Sequence, residues 1–187
     1  MRFEFSLFSA NMKPMNTQEK TLIVFKPDAV QRGIVGEILA RFEKVGLKII
    51  ASKMVNPDTE HYNFHYEEIG KLGTRRGQKT LDTTVGMMTV GPVIAFLLEG
   101  VESIALVRKM VGATESKSAL PGTIRGDYSH MSFAHADAED VGLSNLIHAS
   151  ADPEEAKQEI AHWFKESEIF HYEAVHEKFT QPKKSHK

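Results

Sequence analysis

The sequence first commits itself at residues 21–28. Thr21 to Phe25 (TLIVF) is β-branched and apolar throughout, and the run stops at Lys26-Pro27-Asp28. That pattern reads as a buried strand ended by a proline turn. From Asp28 the spacing turns helical: Val30, Ile34, Ile38, Phe42 and Val45 recur at three- or four-residue steps, with Asp28 as N-cap and Gly46 as the stop. Lys48 to Val55 reads as a second strand, and Asp58 to Gly70 as a helix started by an Asp cap. Residues 71–82 are polar and loop-like. Thr84 to Val90 reads as a third strand, Gly91-Pro92 as the opening of a short apolar helix ending at Gly100, and Ser103 to Met110 as a fourth strand. Strands mixed in this way with short helices predict an α+β fold: a four-stranded antiparallel sheet with covering helices, in the split βαβ arrangement of ferredoxin-like folds.

The chain has 187 residues, 41% hydrophobic and 26% charged, enough for one domain with a sizeable core. Residues 1–18 read as a loosely ordered extension, 19–170 as the domain, and 171–187 as a tail that becomes polar and then basic (KKSHK). No cysteine is present, which rules out disulfides, thiolate catalysis and cysteine zinc sites and suits a reducing, cytoplasmic setting. The formal charge of -2 gives no global field toward nucleic acid or membrane, so a bound anion must meet a local basic cluster. The longest apolar stretch, 90–98, is too short to span a bilayer.

The chemistry has to come from side chains. Neither GxxxxGK[ST] nor a strand-coupled GxGxxG occurs, and the nine histidines show no HExxH-type metal spacing. Three stretches remain. Lys26 ends a buried strand, where an anion could meet it or where it could simply sit at an exposed edge. Arg108, Thr114 and Arg125 lie among glycines, a setting for bidentate phosphate contacts or for a solvated loop. His148 follows an apolar pair and precedes Asp152-Pro153-Glu154-Glu155, a strong helix start, with Ala156, Ile160, Trp163 and Phe164 on one face. On its own a histidine in that place is as consistent with structure as with catalysis.

Taken together, KPDAVQRGIVGEI, HYEE, TVGPV, RKMVGAT, PGTIRGDY and NLIHAS occur in the order found in nucleoside diphosphate kinases, and from about Glu19 to Phe164 the chain resembles that family. The resemblance implies ping-pong transfer of a γ-phosphate from a nucleoside triphosphate to a nucleoside diphosphate through phosphorylated His148. It matches Glu159 to the carboxylate that orients the histidine, and Ser150 to a hydrogen-bond partner of Glu159 or of the γ-phosphate. Lys26 and Asn145 would contact sugar hydroxyls, with Lys26 also reaching phosphate. Arg108, Thr114 and Arg125 would bind the β- and γ-phosphates, with Tyr66 near the γ-phosphate. Mg²⁺ would bridge the phosphates with few direct protein ligands, and a homo-oligomer is implied. Neither membrane nor nucleic acid is an expected partner.

The chain departs from the family pattern in four places. Ala149 stands where glycine is usual, and Ala151 where aspartate is usual. Residues 71–82 lack the family's base-stacking aromatic, which leaves Tyr62 and Phe64 as stand-ins, and the stretch 128–144 is long. Two alternatives follow: a non-catalytic nucleotide-binding relative, suggested by Ala151 and the altered 71–82 stretch, and a nucleic-acid module resting on KKSHK and Arg75-Arg76.

Overall fold

The computed structural model describes residues 17–180, so residues 1–16 of the expected extension and the basic end of the tail lie outside the described residues. Strand β1 (Gln18–Phe25) is the spine of the sheet, with Leu22, Ile23, Val24 and Phe25 all buried. A strand covered on both faces needs a continuous apolar run rather than alternation, and TLIVF supplies it. Strands β2 (Lys48–Val55), β3 (Val93–Val101) and β4 (Ile147–Ala149) complete one antiparallel sheet in the order β2-β3-β1-β4. Helices join these strands in the ferredoxin-like manner, and the fold class is as expected.

Two of the four strands are not where the sequence pattern put them. Thr84–Val90 belongs to helix α5 (Gln78–Met88), which buries Leu81, Val85 and Met88 at helical spacing. The run 93–101, expected as a helix, is the central strand β3, buried over most of its length. Ser103–Met110, expected as a strand, is helix α6 (Ser103–Val111), which buries Ile104, Val107 and Val111. The fourth strand is β4, only three residues long and carrying His148. The polar stretch 71–82 is not a loop: it forms helix α4 (Leu72–Arg76) and the start of α5.

The helix expected over 28–45 is two helices, α1 (Pro27–Gln31) and α2 (Val35–Lys44), broken at Gly33, where φ is 67°. Asp28 lies within α1 and does not cap it; the N-cap position is Lys26. Helix α3 (Thr59–Asn63) does start from its Asp58 cap, then widens into a π turn over Phe64–Ile69.

The core lies on both sides of the sheet. On one face Leu22, Val24, Ala95 and Leu97 pack with Tyr62, Met88 and Trp163. On the other, Ile23, Phe25, Leu98, Ile147 and Ala149 pack with Ile38, Phe42, Val107 and Ile124. Helices α7 (Ile124–Tyr128), α8 (Phe133–Ala138) and α9 (Pro153–Trp163) follow α6, and α9 begins with Asp152 capping the Glu155 N–H at 2.8 Å. After α9 the chain returns along β2: the Phe170 N–H donates to the Ile50 carbonyl at 2.8 Å, and Lys48 pairs with Glu99 and Glu177.

Candidate active site

His148 is set by the sheet. It pairs with Val24 across β1 and so points to the face opposite its neighbours Ile147 and Ala149, which are buried in the far core. Its Nε2 lies 2.6 Å from Glu159 Oε1, one and a half turns into α9. Glu159 is 1% exposed, and its Oε2 accepts the Ser150 hydroxyl at 2.6 Å. Ser150 Oγ in turn accepts the Leu22 N–H at 3.2 Å. The chain of bonds therefore runs from the spine strand through Ser150 and Glu159 to the imidazole, and Ser150 serves Glu159.

A carboxylate accepting at Nε2 fixes the proton there and leaves the lone pair on Nδ1. Burial pulls the His148 imidazolium down to about 3; Glu155 opposes the shift, while Lys26, Arg125 and Arg108 reinforce it. The ring is neutral throughout the physiological range. Burial raises the Glu159 and Glu155 carboxyls.

His65 completes the cluster, and sequence reasoning missed it except as a letter of HYEE. It is buried, and its ring stands edge-on to His148 with centroids 4.5 Å apart. Its Nδ1 is 3.6 Å from Glu159 Oε1, yet it accepts the Trp163 indole N–H at 3.2 Å and so carries no proton to give the carboxylate. Burial keeps His65 well below the usual histidine range, hence neutral. The ligand-type atoms of His65, His148 and Glu159 lie within 4.8 Å of one another, but His148 Nε2 is engaged by Glu159 and His65 Nδ1 by Trp163. His148, Glu159 and Ser150 form a hydrogen-bonded relay, with His65 packed against it.

A cavity of about 510 Å³ opens over this relay, and eight of the nine site residues read from the sequence line it: Lys26, Tyr66, Arg108, Thr114, Arg125, Asn145, His148 and Glu159. The ninth, Ser150, sits fully buried behind Glu159. The π turn brings in Tyr66 beside His65, so two consecutive side chains face inward, a common use of a π turn at functional sites. The Tyr66 hydroxyl and Asn145 Oδ1 are buried without a protein hydrogen-bond partner. Polar atoms left in that state on a cavity wall are costly unless a ligand meets them. Lys26 is 6% exposed, and burial together with Arg125 pulls its ammonium down to about 7, against the pull of Asp28.

Arg125 differs from a free phosphate ligand. Its Nε donates to the Asn145 carbonyl at 3.2 Å, Nη1 to Gly112 O at 3.1 Å and Nη2 to Ile147 O at 2.6 Å. Three of its five N–H groups hold the walls of the cavity, and two remain for a ligand. The loop that delivers it needs its glycines. A Cβ on Gly126 would sit 2.1 Å from the Leu120 carbonyl, and one on Gly112, whose φ is 86°, would sit 2.5 Å from Thr123 Oγ1.

The mouth is lined by residues that motif reading did not select. Leu72, Arg75 and Arg76 come from α4, Phe133 and Asp137 from α8, and Leu143 from the segment after it. Arg76 lies over the Phe133 ring at 5.6 Å. Tyr62 is fully buried in the core, and Phe64 stacks on His162 at 4.7 Å; neither lines the cavity. The aromatic at the mouth, Phe133, lies in the long stretch 128–144 and not in 71–82.

An α+β sheet that seats one neutral, carboxylate-held histidine on the floor of a cationic cavity belongs among proteins that handle phosphate through histidine. The comparisons narrow the class. A family model described as nucleoside diphosphate kinase matches residues 19–169. The nucleoside diphosphate kinase of Borreliella burgdorferi is 44% identical over 154 residues, 82% of this chain and 92% of that one. That of Pyrococcus furiosus is 43% identical over 173 residues, 92% and 99% of the two chains. A solved structure, a transition state mimic of the Borrelia burgdorferi nucleoside-diphosphate kinase with bound vanadate and ADP, superposes with a TM-score of 0.85 at 41% identity, covering 88% of this chain and 97% of that one. The chain belongs to the nucleoside diphosphate kinase family.

Proposed function

We propose that this protein is a nucleoside diphosphate kinase that works by ping-pong transfer through His148. The observation that carries the reading is a neutral imidazole whose Nε2 is held 2.6 Å from a buried carboxylate on the floor of a cavity walled by Lys26, Arg108 and Arg125. The relative crystallised with vanadate and ADP carries a stand-in for the moving phosphoryl group beside a departing diphosphate, in keeping with that reading.

In the forward half-reaction the His148 Nδ1 lone pair attacks the γ-phosphorus. The bond from γ-phosphorus to the bridging oxygen breaks, and its electron pair leaves on the diphosphate. In the second half a terminal oxygen of another nucleoside diphosphate attacks the phosphorus, and the N–P bond returns its pair to Nδ1. The proton on Nε2 stays in place through both halves, so no acid or base has to act. Charge builds on the imidazole as the N–P bond forms, and Glu159 stabilises it. Transfer of this kind depends on positioning and electrostatics. Arg108, Thr114 and the two spare donors of Arg125 suit the β- and γ-phosphates, Tyr66 the γ-phosphate, and Lys26 and Asn145 the sugar hydroxyls.

The phosphate-facing donors are cations and hydroxyls, with no carboxylate cage among them, which fits Mg²⁺ arriving as part of the nucleotide with most of its waters. There it would neutralise phosphate charge. Phe133, with Arg76 over its ring, is the aromatic placed to meet the base, and no base-reading pattern of donors accompanies it. The reading includes residues 19–170 as the catalytic domain, a cytoplasmic setting and a homo-oligomer. No helix among the described residues is long and apolar enough to cross a membrane. The exposed Phe170, Val175 and Phe179 suit contact with another copy, to be checked by sedimentation.

Incubation with γ-labelled ATP should give an acid-labile, base-stable phosphoprotein that releases its label to added diphosphates. His148→Ala should take up no label. Label retained in that variant would sink the assignment.

A further inference from the structure

The residues just before His148 form a turn that the chain does not adopt cheaply. Leu146 is fully buried and has φ 73°, in the left-handed region that an apolar side chain avoids. The Ile147 N–H donates back to the Asn145 carbonyl at 2.9 Å, which closes a three-residue turn around Leu146. Such a turn persists only where its surroundings hold it. The Leu146 carbonyl accepts the Lys26 N–H at 2.9 Å, and the Asn145 and Ile147 carbonyls accept from Arg125. The Leu146 N–H donates to Asp28 Oδ2 at 3.0 Å, a contact that joins residues 118 apart in the chain.

Asp28 has no other assigned task. It is not the cap of α1, and its second oxygen, Oδ1, is buried without a hydrogen-bond partner. A lone buried carboxylate oxygen is expensive, and it is kept here among positive charges. The charge of Asp28 acts on Lys26, on Arg125 and on the Tyr66 phenol. The other groups around Lys26 are Arg125 on α7 and His148 on β4, with Arg108 on α6 beyond Arg125; the carboxylates of α9, Glu155 and Glu159, act on His148 and Tyr66. Asp28 is thus the carboxylate that acts on Lys26.

We propose that Asp28 is a positioning residue: its Oδ2 pins the Leu146 turn that aims His148. The proposal rests on the kinase reading for its consequence in catalysis, but the pinned turn stands apart from it. Removing the acceptor leaves a buried N–H unpaired in a strained turn. The turn then relaxes, the His148 ring moves off Glu159, and its tautomer is no longer held.

Two substitutions test the pin. Asp28→Asn keeps an oxygen for the Leu146 N–H; Asp28→Ala removes it. The experiment records ¹⁵N spectra of the His148 ring in the whole protein and the single-turnover rate of His148 labelling from saturating ATP. Asp28→Asn should keep the Nε2–H tautomer and a labelling rate within about threefold of wild type. Asp28→Ala should show averaged ring nitrogens and label about 10- to 100-fold more slowly, the worth of one charge-assisted hydrogen bond.

The wild-type tautomer and rate in Asp28→Ala would overturn the pinning. An Asp28→Asn protein impaired as badly as Asp28→Ala would do the same. If Asp28→Ala does not fold, Asp28→Asn still decides, because loss of the tautomer there, with an acceptor oxygen still in place, would overturn the pinning. The ring spectra need no turnover, so a wild-type protein that takes up no label would refute the kinase reading while leaving the turn tested.

Discussion

Glu159→Gln is the substitution whose outcome the structure specifies most closely. The carboxylate serves two donors, the His148 Nε2–H and the Ser150 hydroxyl, each at 2.6 Å, from a site only 1% exposed. Glutamine has the same shape but one oxygen and one NH₂. If its oxygen faces His148, the Ser150 hydroxyl loses its acceptor and a neutral bond replaces a charge-assisted one. If its NH₂ faces His148, Nε2 must accept, the proton moves to Nδ1, and the nucleophilic lone pair is lost from the cavity side. In the first orientation the loss is the difference between a charged and a neutral hydrogen bond, about 1–2 kcal/mol. That corresponds to roughly 5- to 30-fold in the phosphorylation rate; any share of the second orientation deepens it. The assay is rapid-quench labelling from saturating ATP, with nucleotide affinity measured in parallel. The rate should fall while affinity stays near wild type. A Glu159→Gln protein that phosphorylates at the wild-type rate, or one that only binds ATP more weakly, would refute the orienting role.

The pH dependence should be lopsided. His148 is neutral well below the ordinary histidine range, so labelling at saturating ATP should hold steady from about pH 8 to about pH 5, where a free imidazole would already be largely protonated. Lys26 is cationic below its value of about 7, so ATP affinity should be greatest on the acid side and weaken as pH rises through 7, as calorimetry can follow. Phe133→Ala should raise KM for nucleotides roughly tenfold, the worth of one base–aromatic stack, with little change in kcat and none for a ribose triphosphate lacking a base. Stability should fall in acid. His61, His65 and His148 all have folded pKa values below the ordinary one, so the unfolded chain takes up protons that the native state refuses. The stabilisation is complete above about 6.5, the unfolded value, and is lost as pH falls toward the folded values, so Tm should drop between about pH 7 and pH 4.

The site was far more legible than the elements that carry it. Seven of its residues sit in short motifs whose order survives any error in naming helices and strands, and the cavity brings those seven together with Glu159. The elements depended on periodicity, which fails where apolar residues run without a break. VIAFLLEGV has the composition of either a buried helix or a central strand, and only its partners on both sides, β1 and β2, make it a strand. Residues 103–111 carry a helical 104, 107, 111 spacing, which the strand-like apolar run at the start of SIALVRKM masks. His65 and Asp28 escaped for another reason. Their roles are relations to residues far along the chain, Trp163 in one case and Leu146 in the other, and spacing within a segment holds no trace of them. Phe133 was hidden by its place in a stretch longer than the family's usual one.

Three residues of backbone, paired to the spine of the sheet, carry the nucleophile, and that fact divides the enzyme into an anvil and its tools. The anvil is β4 with the pinned turn before it and Glu159 behind it, the Nε2 of the imidazole and both carboxylate oxygens already engaged. A ring mounted in this way cannot follow a substrate that arrives slightly askew, so the nucleotide has to be brought into line by the mouth. The pieces at the mouth are α4, the first turn of α5 and α8, none of which belongs to the sheet, and they join through surface contacts such as Lys79 with Asp140 at 2.9 Å. Adjustment to the size and outline of different bases therefore falls to those helices. Nucleotides are thus seated and released through a rim whose shape can change without touching the anvil.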